Sequence, residues 1–284
     1  IPLRLVGSEM CIRDRFWMRR QRWHEGLEAL ETAYHDIQTA TAISTEDASL
    51  RDDLARIEGA FGEALCERGE RAQGRRLLES AVATMRRLQG TEREVGERRE
   101  GSSAPGDRRE ARLAVLLRRL AEMSRNVDQA ARYYEESLEL QRRRLARQPE
   151  WMPGITELAS TLNGYASRIA EEDPQRAAEL FGEARRLLEQ AVRMSPDDFR
   201  LRRDWAVALH NEGMAVESLG DSNRSLGLLD EAIREQTAAY EASGYDPEYQ
   251  NQLQQYEKHR ERIRQIRTRP DGSVWIDRLE GTTI

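Results

Sequence analysis

The 284-residue sequence predicts an all-α protein, a stack of antiparallel helix pairs. Two observations predict it. Small residues recur at matching intervals in two distant stretches. Gly62, Gly69, Gly74 and Ala81 are separated by 7, 5 and 7 residues, and Gly213, Gly220, Ser225 and Ala232 repeat those steps. Composition agrees, with 8 prolines, 19 glycines, 34% charged and 38% hydrophobic residues. The mean hydropathy is −0.80. A compact globule of this length needs more apolar residues, whereas in a two-layer stack every helix keeps one face in water.

Each position in the repeated pattern has a physical reading. Gly62 and Gly213 fall within a first helix, where a missing side chain lets the partner helix approach. Gly69 and Gly220 fall where that helix ends, a place for left-handed backbone. Gly74 or Ser225, then Leu78 or Leu229, then Ala81 or Ala232 form the inward stripe of the second helix at helical spacing. Weaker copies lie between. Leu113, Leu116, Leu117 and Leu120 stripe a first helix, followed by Ala130, Tyr134 and Ser137 on its partner. Leu158, Leu162, Tyr165, Ala166 and Ile169 precede Ala184, Leu188 and Ala191. The stretch from Asp173 to Gly182 lengthens that second helix.

These features resemble the tetratricopeptide family, whose repeat is a helix–turn–helix of about 34 residues. The likeness covers residues 54–88 and 205–240 well and the region between them loosely. It implies a right-handed superhelix of helix pairs, an α-solenoid that binds other proteins. The second-helix small residue recurs at 81, 137, 191 and 232, spacings of 56, 54 and 41. Lengthened helices and an inserted linker account for the excess. Repeats this divergent also resemble the regions that follow the kinase domain in some large bacterial serine/threonine kinases.

The organisation reads as follows. Residues 1–15 contain Met10-Cys11-Ile12-Arg13-Asp14-Arg15, which resembles the translation of a transposon-end sequencing adaptor. They are expected to be an artefact preceding a truncated protein. Residues 16–89 read as repeat-like helices, with Gly26, Leu30 and Ala33 as the inward stripe of the first. Ser44 with Asp47 reads as a variant capping box opening the next. Ser195-Pro196, Asp173-Pro174 and Asp246-Pro247 each read as a cap before proline at the first helical position. Residues 90–108 have Val95 as their one large apolar residue and close on Gly-Ser-Ser-Ala-Pro-Gly, so a mobile polar linker is expected. Residues 109–243 return to helix pairs. Residues 244–268 read as a capping helix striped by Tyr249, Leu253, Tyr256, Ile263 and Ile266, and 269–284 as a tail.

Charge and chemistry narrow the function. The net charge of −6 argues against a general nucleic-acid binder. That reading survives only through the basic end of the capping helix, at Lys258, Arg260, Arg262, Arg264, Arg267 and Arg269. Lys258 is the only lysine among 45 basic residues, as in the codon usage of a GC-rich bacterial genome. No apolar run approaches the roughly 18 residues of a membrane span. Cys11 and Cys66 form neither a disulfide framework nor a metal spacing, so the cytoplasm is the expected compartment. His24-Glu25 lacks the second histidine of a zinc protease, and no phosphate loop, nucleophile elbow or kinase signature occurs. No enzyme activity, cofactor or metal is expected.

Binding is the remaining use, with a protein or peptide segment as the expected partner and a small molecule not expected. If the first helix of each pair lines the inner surface, then Glu63, Arg119, Asn163, Ser167, His210 and Met214 face the partner. Gly59, Cys66 and Val115 lie among them. Some family members hold C-terminal carboxylates through lysine and asparagine at such places. Gly59 and Glu63 stand there in the first repeat, which removes that clamp. The chain is thus expected to be an interaction scaffold within a larger bacterial signalling protein. The alternative is the regulatory region of a serine/threonine kinase.

Overall fold

A computed structural model describes the backbone of residues 6–95 and 105–267, and side chains from 24 to 90 and from 108 to 265. Helices account for nearly all of it: α1 (Val6–Ile43), α2 (Ala48–Arg68), α3 (Arg71–Val95), α4 (Pro105–Met123), α5 (Val127–Arg147), α6 (Met152–Ile169), α7 (Pro174–Met194), α8 (Phe199–Ser218), α9 (Ser222–Ala242) and α10 (Pro247–Arg267). No strand occurs among the described residues. The chain divides into two compact units, residues 1–144 and 145–284.

In unit 1, α2 and α3 run antiparallel. Ser80 Oγ donates to Glu58 Oε1 at 2.9 Å, and further along Gly62 meets Gly74. Ala55, Leu78, Val82, Met85, Leu113, Leu117 and Leu120 close the core between α2, α3 and α4. Ser137 Oγ donates to the Ala114 carbonyl at 2.7 Å, joining α5 to α4. The inward stripe of α1 is Leu27, Leu30 and Tyr34, packed on Phe61, Leu65 and Leu77. Gly26, expected on that stripe, is exposed with nothing within 4 Å of where its Cβ would be.

Unit 2 repeats the antiparallel arrangement. Arg202 pairs with Glu235 and Arg224 with Glu212, at opposite ends of α8 and α9. Ile155, Ala191, Val192 and Leu201 form one core cluster. Ala206, Leu209, Ala232 and Tyr256 form another, which carries α10. Gln236 Nε2, fully buried, donates to the Tyr249 carbonyl at 3.0 Å and tethers α10 to α9.

Helix ends follow local chemistry. Gly69 and Gly220 adopt φ of 98° and 85°, closing α2 and α8 in the left-handed region as their positions predicted. Asp173, with Pro174 behind it, accepts from Arg176 N at 2.9 Å. Two expected caps are corrected. Asp47, not Ser44, opens α2, accepting from Ser49 N at 2.8 Å and Leu50 N at 3.2 Å. Arg51 Nε bonds the Thr45 carbonyl at 2.7 Å, within the turn that precedes the Asp47 cap. Ser195 ends α7, and Asp198 opens α8 by accepting from Arg200 N at 2.9 Å, so Pro196 lies in the turn between them. Asp47→Ala is therefore expected to cost about 1 kcal/mol and Ser44→Ala close to none, read from urea midpoints.

The span expected as a linker carries helix at both ends, α3 reaching Val95 and α4 starting at Pro105. Its arginines and glutamates are good helix formers. Residues 96–104 lie outside the described residues, as does the tail from 268. Of the adaptor-like segment, residues 6–15 fall within α1, and their side chains lie outside the described ones.

Candidate partner-binding faces

In unit 1 the first helices of successive pairs lie side by side. Arg109 Nε reaches Asp52 Oδ1 at 3.3 Å, Arg119 Nε reaches Glu63 Oε1 at 3.1 Å, and Cys66 Sγ reaches Met123 Sδ at 3.4 Å. These partners are 57, 56 and 57 residues apart, so α2 and α4 run parallel in constant register. The same interval of 56 separates Ala81 from Ser137 on the second helices. The repeat of unit 1 is therefore one helix pair plus the span that joins it to the next.

The charges of this face are spent on each other. Arg112 Nη1 donates to Asp52 Oδ2 at 3.0 Å, and Arg119 also donates to Glu122 at 3.1 Å. Glu63 and Arg119, both expected to meet a partner, thus meet one another. Gly59 lies under Leu116, whose Cδ2 would be 2.7 Å from an added Cβ. Burial, reinforced by Glu63, pushes the Cys66 thiol up, which keeps it protonated and unreactive. A second concavity of unit 1, about 360 Å³, is lined by Arg86, Gln89 and Leu113 with Glu136, Glu139 and Arg143. Arg86 is paired to Glu136 within it.

In unit 2, α8 and α10 also run parallel, and their shared face is built from rings. Phe199 and Tyr249 lie 6.0 Å apart near the start of both helices, with the Arg203 guanidinium 5.5 Å from the Tyr249 centroid. Further along both helices, His210 stacks on Tyr256 at 4.3 Å and on His259 at 4.9 Å. His210 Nε2 and His259 Nδ1 are 2.7 Å apart. His210, expected on the groove, is half-buried and lies against Tyr256 and His259 of α10.

Asn163 and Ser167 lie one turn apart on α6, and Met214 lies one turn beyond His210 on α8. Ser167 is exposed, Met214 is half-buried, and the Asn163 amide oxygen is buried without a hydrogen-bond partner. The six expected residues therefore divide, Glu63 and Arg119 to unit 1 and the other four to unit 2.

Two features escaped the sequence. Tyr256 was legible as part of an apolar stripe, but its partner His210 was not, lying 46 residues away. Glu212, 1% exposed, sits between Arg185 and Arg224 at 2.7 Å each. A glutamate at a position flanked by leucine and glycine in the helical stripe is the one signal that could have marked it.

Among the described residues no three of His, Cys, Asp and Glu stand where they could hold a metal, and no helix is long and apolar enough to cross a membrane. A scan against protein-family models finds no match, and neither does a search of curated proteins. Solved structures do match. The S. pombe nuclear import adaptor Nro1 aligns with a TM-score of 0.55 at 13% identity, over 88% of this chain and 86% of that one. BtubC from P. vanneervenii aligns with a TM-score of 0.47 at 17% identity, over 90% and 98%. The C-terminal part of a TPR repeat-containing protein from Cytophaga hutchinsonii covers 80% of this chain and 97% of its own, with a TM-score of 0.29 at 9% identity. Identities this low speak to the fold alone, and the fold is all-α, built of antiparallel helix pairs.

Proposed function

We propose that this chain is a protein-interaction scaffold that takes a peptide segment of its partner along the faces of successive first helices. The observation that carries it is the parallel register of those helices, α2 with α4 and α8 with α10. Side chains from two repeats then address one extended ligand, which is how a helical stack obtains specificity without a deep pocket. Ion pairing within unit 1 leaves little unspent charge there, so Asn163, Ser167 and Met214 are the principal contacts in this reading. A partner would have to open the Glu63–Arg119 pair to use it. No catalytic or cofactor role forms part of the proposal. The cytoplasm and a bacterial signalling protein are its setting, and attachment to a serine/threonine kinase rests on sequence resemblance.

The test uses the full chain and a displayed peptide library, with affinities of selected peptides measured by calorimetry. Ser167→Arg combined with Met214→Glu is expected to weaken binding at least tenfold, about 1.4 kcal/mol, with helicity unchanged. Binding that survives this change but is lost on neutralising Lys258 and Arg262 would move the working surface to the basic end of α10.

A further inference from the structure

The α8–α10 seam holds two histidines whose chemistry a binding scaffold does not use. The His210 ring lies within 18° of the Tyr256 plane and 20° of the His259 plane. Its Nε2 faces His259 Nδ1 at 2.7 Å, and its Nδ1 faces Asn211 Oδ1 at 3.3 Å. An amide oxygen only accepts, so Nδ1 of His210 carries the hydrogen and Nε2 accepts from His259 Nδ1–H. The contact exists only while one of the two facing nitrogens is bare.

The surroundings offer no compensation for added positive charge. From α8, Arg203 and Asp204 act on Tyr256. From α10, Arg262 acts on His259, which Lys258 and Arg260 flank in the chain. From α9, Asp230 faces this side, and its carboxylate is held by Arg260 and Arg264. Among the described residues no carboxylate is hydrogen-bonded or ion-paired to either imidazole.

We propose that the His210–His259 pair is an acid-sensitive latch on the capping helix. A first proton adds to the outer His259 Nε2 and leaves the shared N–H···N bond in place. A second turns both facing nitrogens into donors, sets two cations against each other beside Arg262, and opens the α8–α10 seam while α6 to α9 stay paired. The sign follows from burial. It lowers His210 from 6.5 to about 4, and burial and Arg262 lower His259. The folded state thus binds fewer protons than the unfolded one, so the contribution is whole above about 6.5 and is lost as pH falls toward 4. Tyr256, pushed up to about 12 by burial, stays neutral throughout. The Gln236 amide and the Asp230 pairs hold α10 to α9, so opening is confined to the seam.

Hydrogen exchange on the full chain, corrected for the intrinsic pH dependence, tests this. Between pH 7 and 5 the amides of residues 249–263 are expected to lose protection at least tenfold relative to those of α6 and α7. His210→Phe with His259→Gln keeps a ring on Tyr256 and removes both titrating groups, and the selective loss should vanish. Wild-type α10 tracking α6 and α7 at every pH would overturn the latch, as would the same selective loss in the double variant. Should that variant not fold at pH 7.5, the ring-nitrogen shifts of the wild type decide. Protonation of both rings coinciding with loss of α10 protection supports the latch, and protonation without that loss overturns it. Neither result bears on peptide binding by Ser167 and Met214.

Discussion

Gly74→Ala should destabilise the protein by about 2–3 kcal/mol, while Gly213→Ala should be neutral or stabilising by up to about 1 kcal/mol. The two changes add the same methyl group to helix contacts that look alike in sequence. At Gly74 the new Cβ would lie 2.3 Å from Cys66 Sγ and 2.5 Å from the Gly62 carbonyl oxygen. The sulfur can rotate away at the expense of its contact with Met123, but the carbonyl is backbone, so α2 and α3 must separate. At Gly213 the nearest atoms are Leu229 Cγ at 3.4 Å, with Leu228 Cβ and the Ser225 carbonyl oxygen at 3.5 Å. These are ordinary contacts, and the helix gains the lower backbone entropy of alanine. Ser225 stands where Gly74 does, and its carbonyl oxygen lies 3.5 Å from an added Gly213 Cβ, against 2.8 Å between the Gly74 carbonyl oxygen and one added at Gly62. A leucine at 213 is a different matter, since its outer carbons have no room, and about 1–3 kcal/mol is expected from overpacking. Urea unfolding followed by circular dichroism measures all three. Gly74→Ala unfolding with the wild type would mean that α2 and α3 do not touch at this crossing.

Glu212→Ala is expected to cost about 3 kcal/mol, and Arg224→Ala below about 1 kcal/mol. The carboxylate is 1% exposed and receives Arg185 Nε on one oxygen and Arg224 on the other, both at 2.7 Å. Removing it leaves two guanidinium groups facing a cavity. Arg224, with 58% of its side chain exposed, can turn into water, whereas Arg185 at 23% is hemmed in. Removing Arg224 instead leaves Glu212 still neutralised by Arg185. The asymmetry separates a buried carboxylate with a required partner from a surface ion pair. Equal shifts in urea midpoint for the two variants would show that Glu212 is hydrated.

The fold was legible where a contact recurs at short, regular intervals. The stripe Gly74-Leu78-Ala81 and its copy at 225–232 name one face of a second helix, and that face is buried in both units. Asp173 before Pro174 was legible because a cap acts within its own first turn. Ser44 and Asp47 were both able to cap. The choice between them was made by Arg51 bonding the Thr45 carbonyl, which spacing does not encode. Gly26 matched the stripe in size but has no helix opposite it. The surroundings of the expected binding residues were the least legible, for a related reason. Those residues were identified by position on the first helices, and position does not say what lies across the seam. Arg119 finds Glu63 across 56 residues and His210 finds His259 across 49. Neither pairing leaves a periodic trace.

The two parallel seams are closed by different materials, and this makes the units answer to different properties of the solvent. Between α2 and α4 the cross-links are Asp52 with Arg109 and Arg112, and Glu63 with Arg119. Their energy is Coulombic, and the Debye length shrinks from about 10 Å at 0.1 M salt to about 3 Å at 1 M. Between α8 and α10 the cross-links are stacked rings, whose dispersion and apolar burial dissolved salt does not screen. Rising ionic strength therefore weakens the charged cross-links of the first seam, leaving its apolar contacts at Leu116 and Met123 in place, and does not touch the rings of the second. The strength of the first seam is in this sense adjustable by the medium, and that of the second is set by shape.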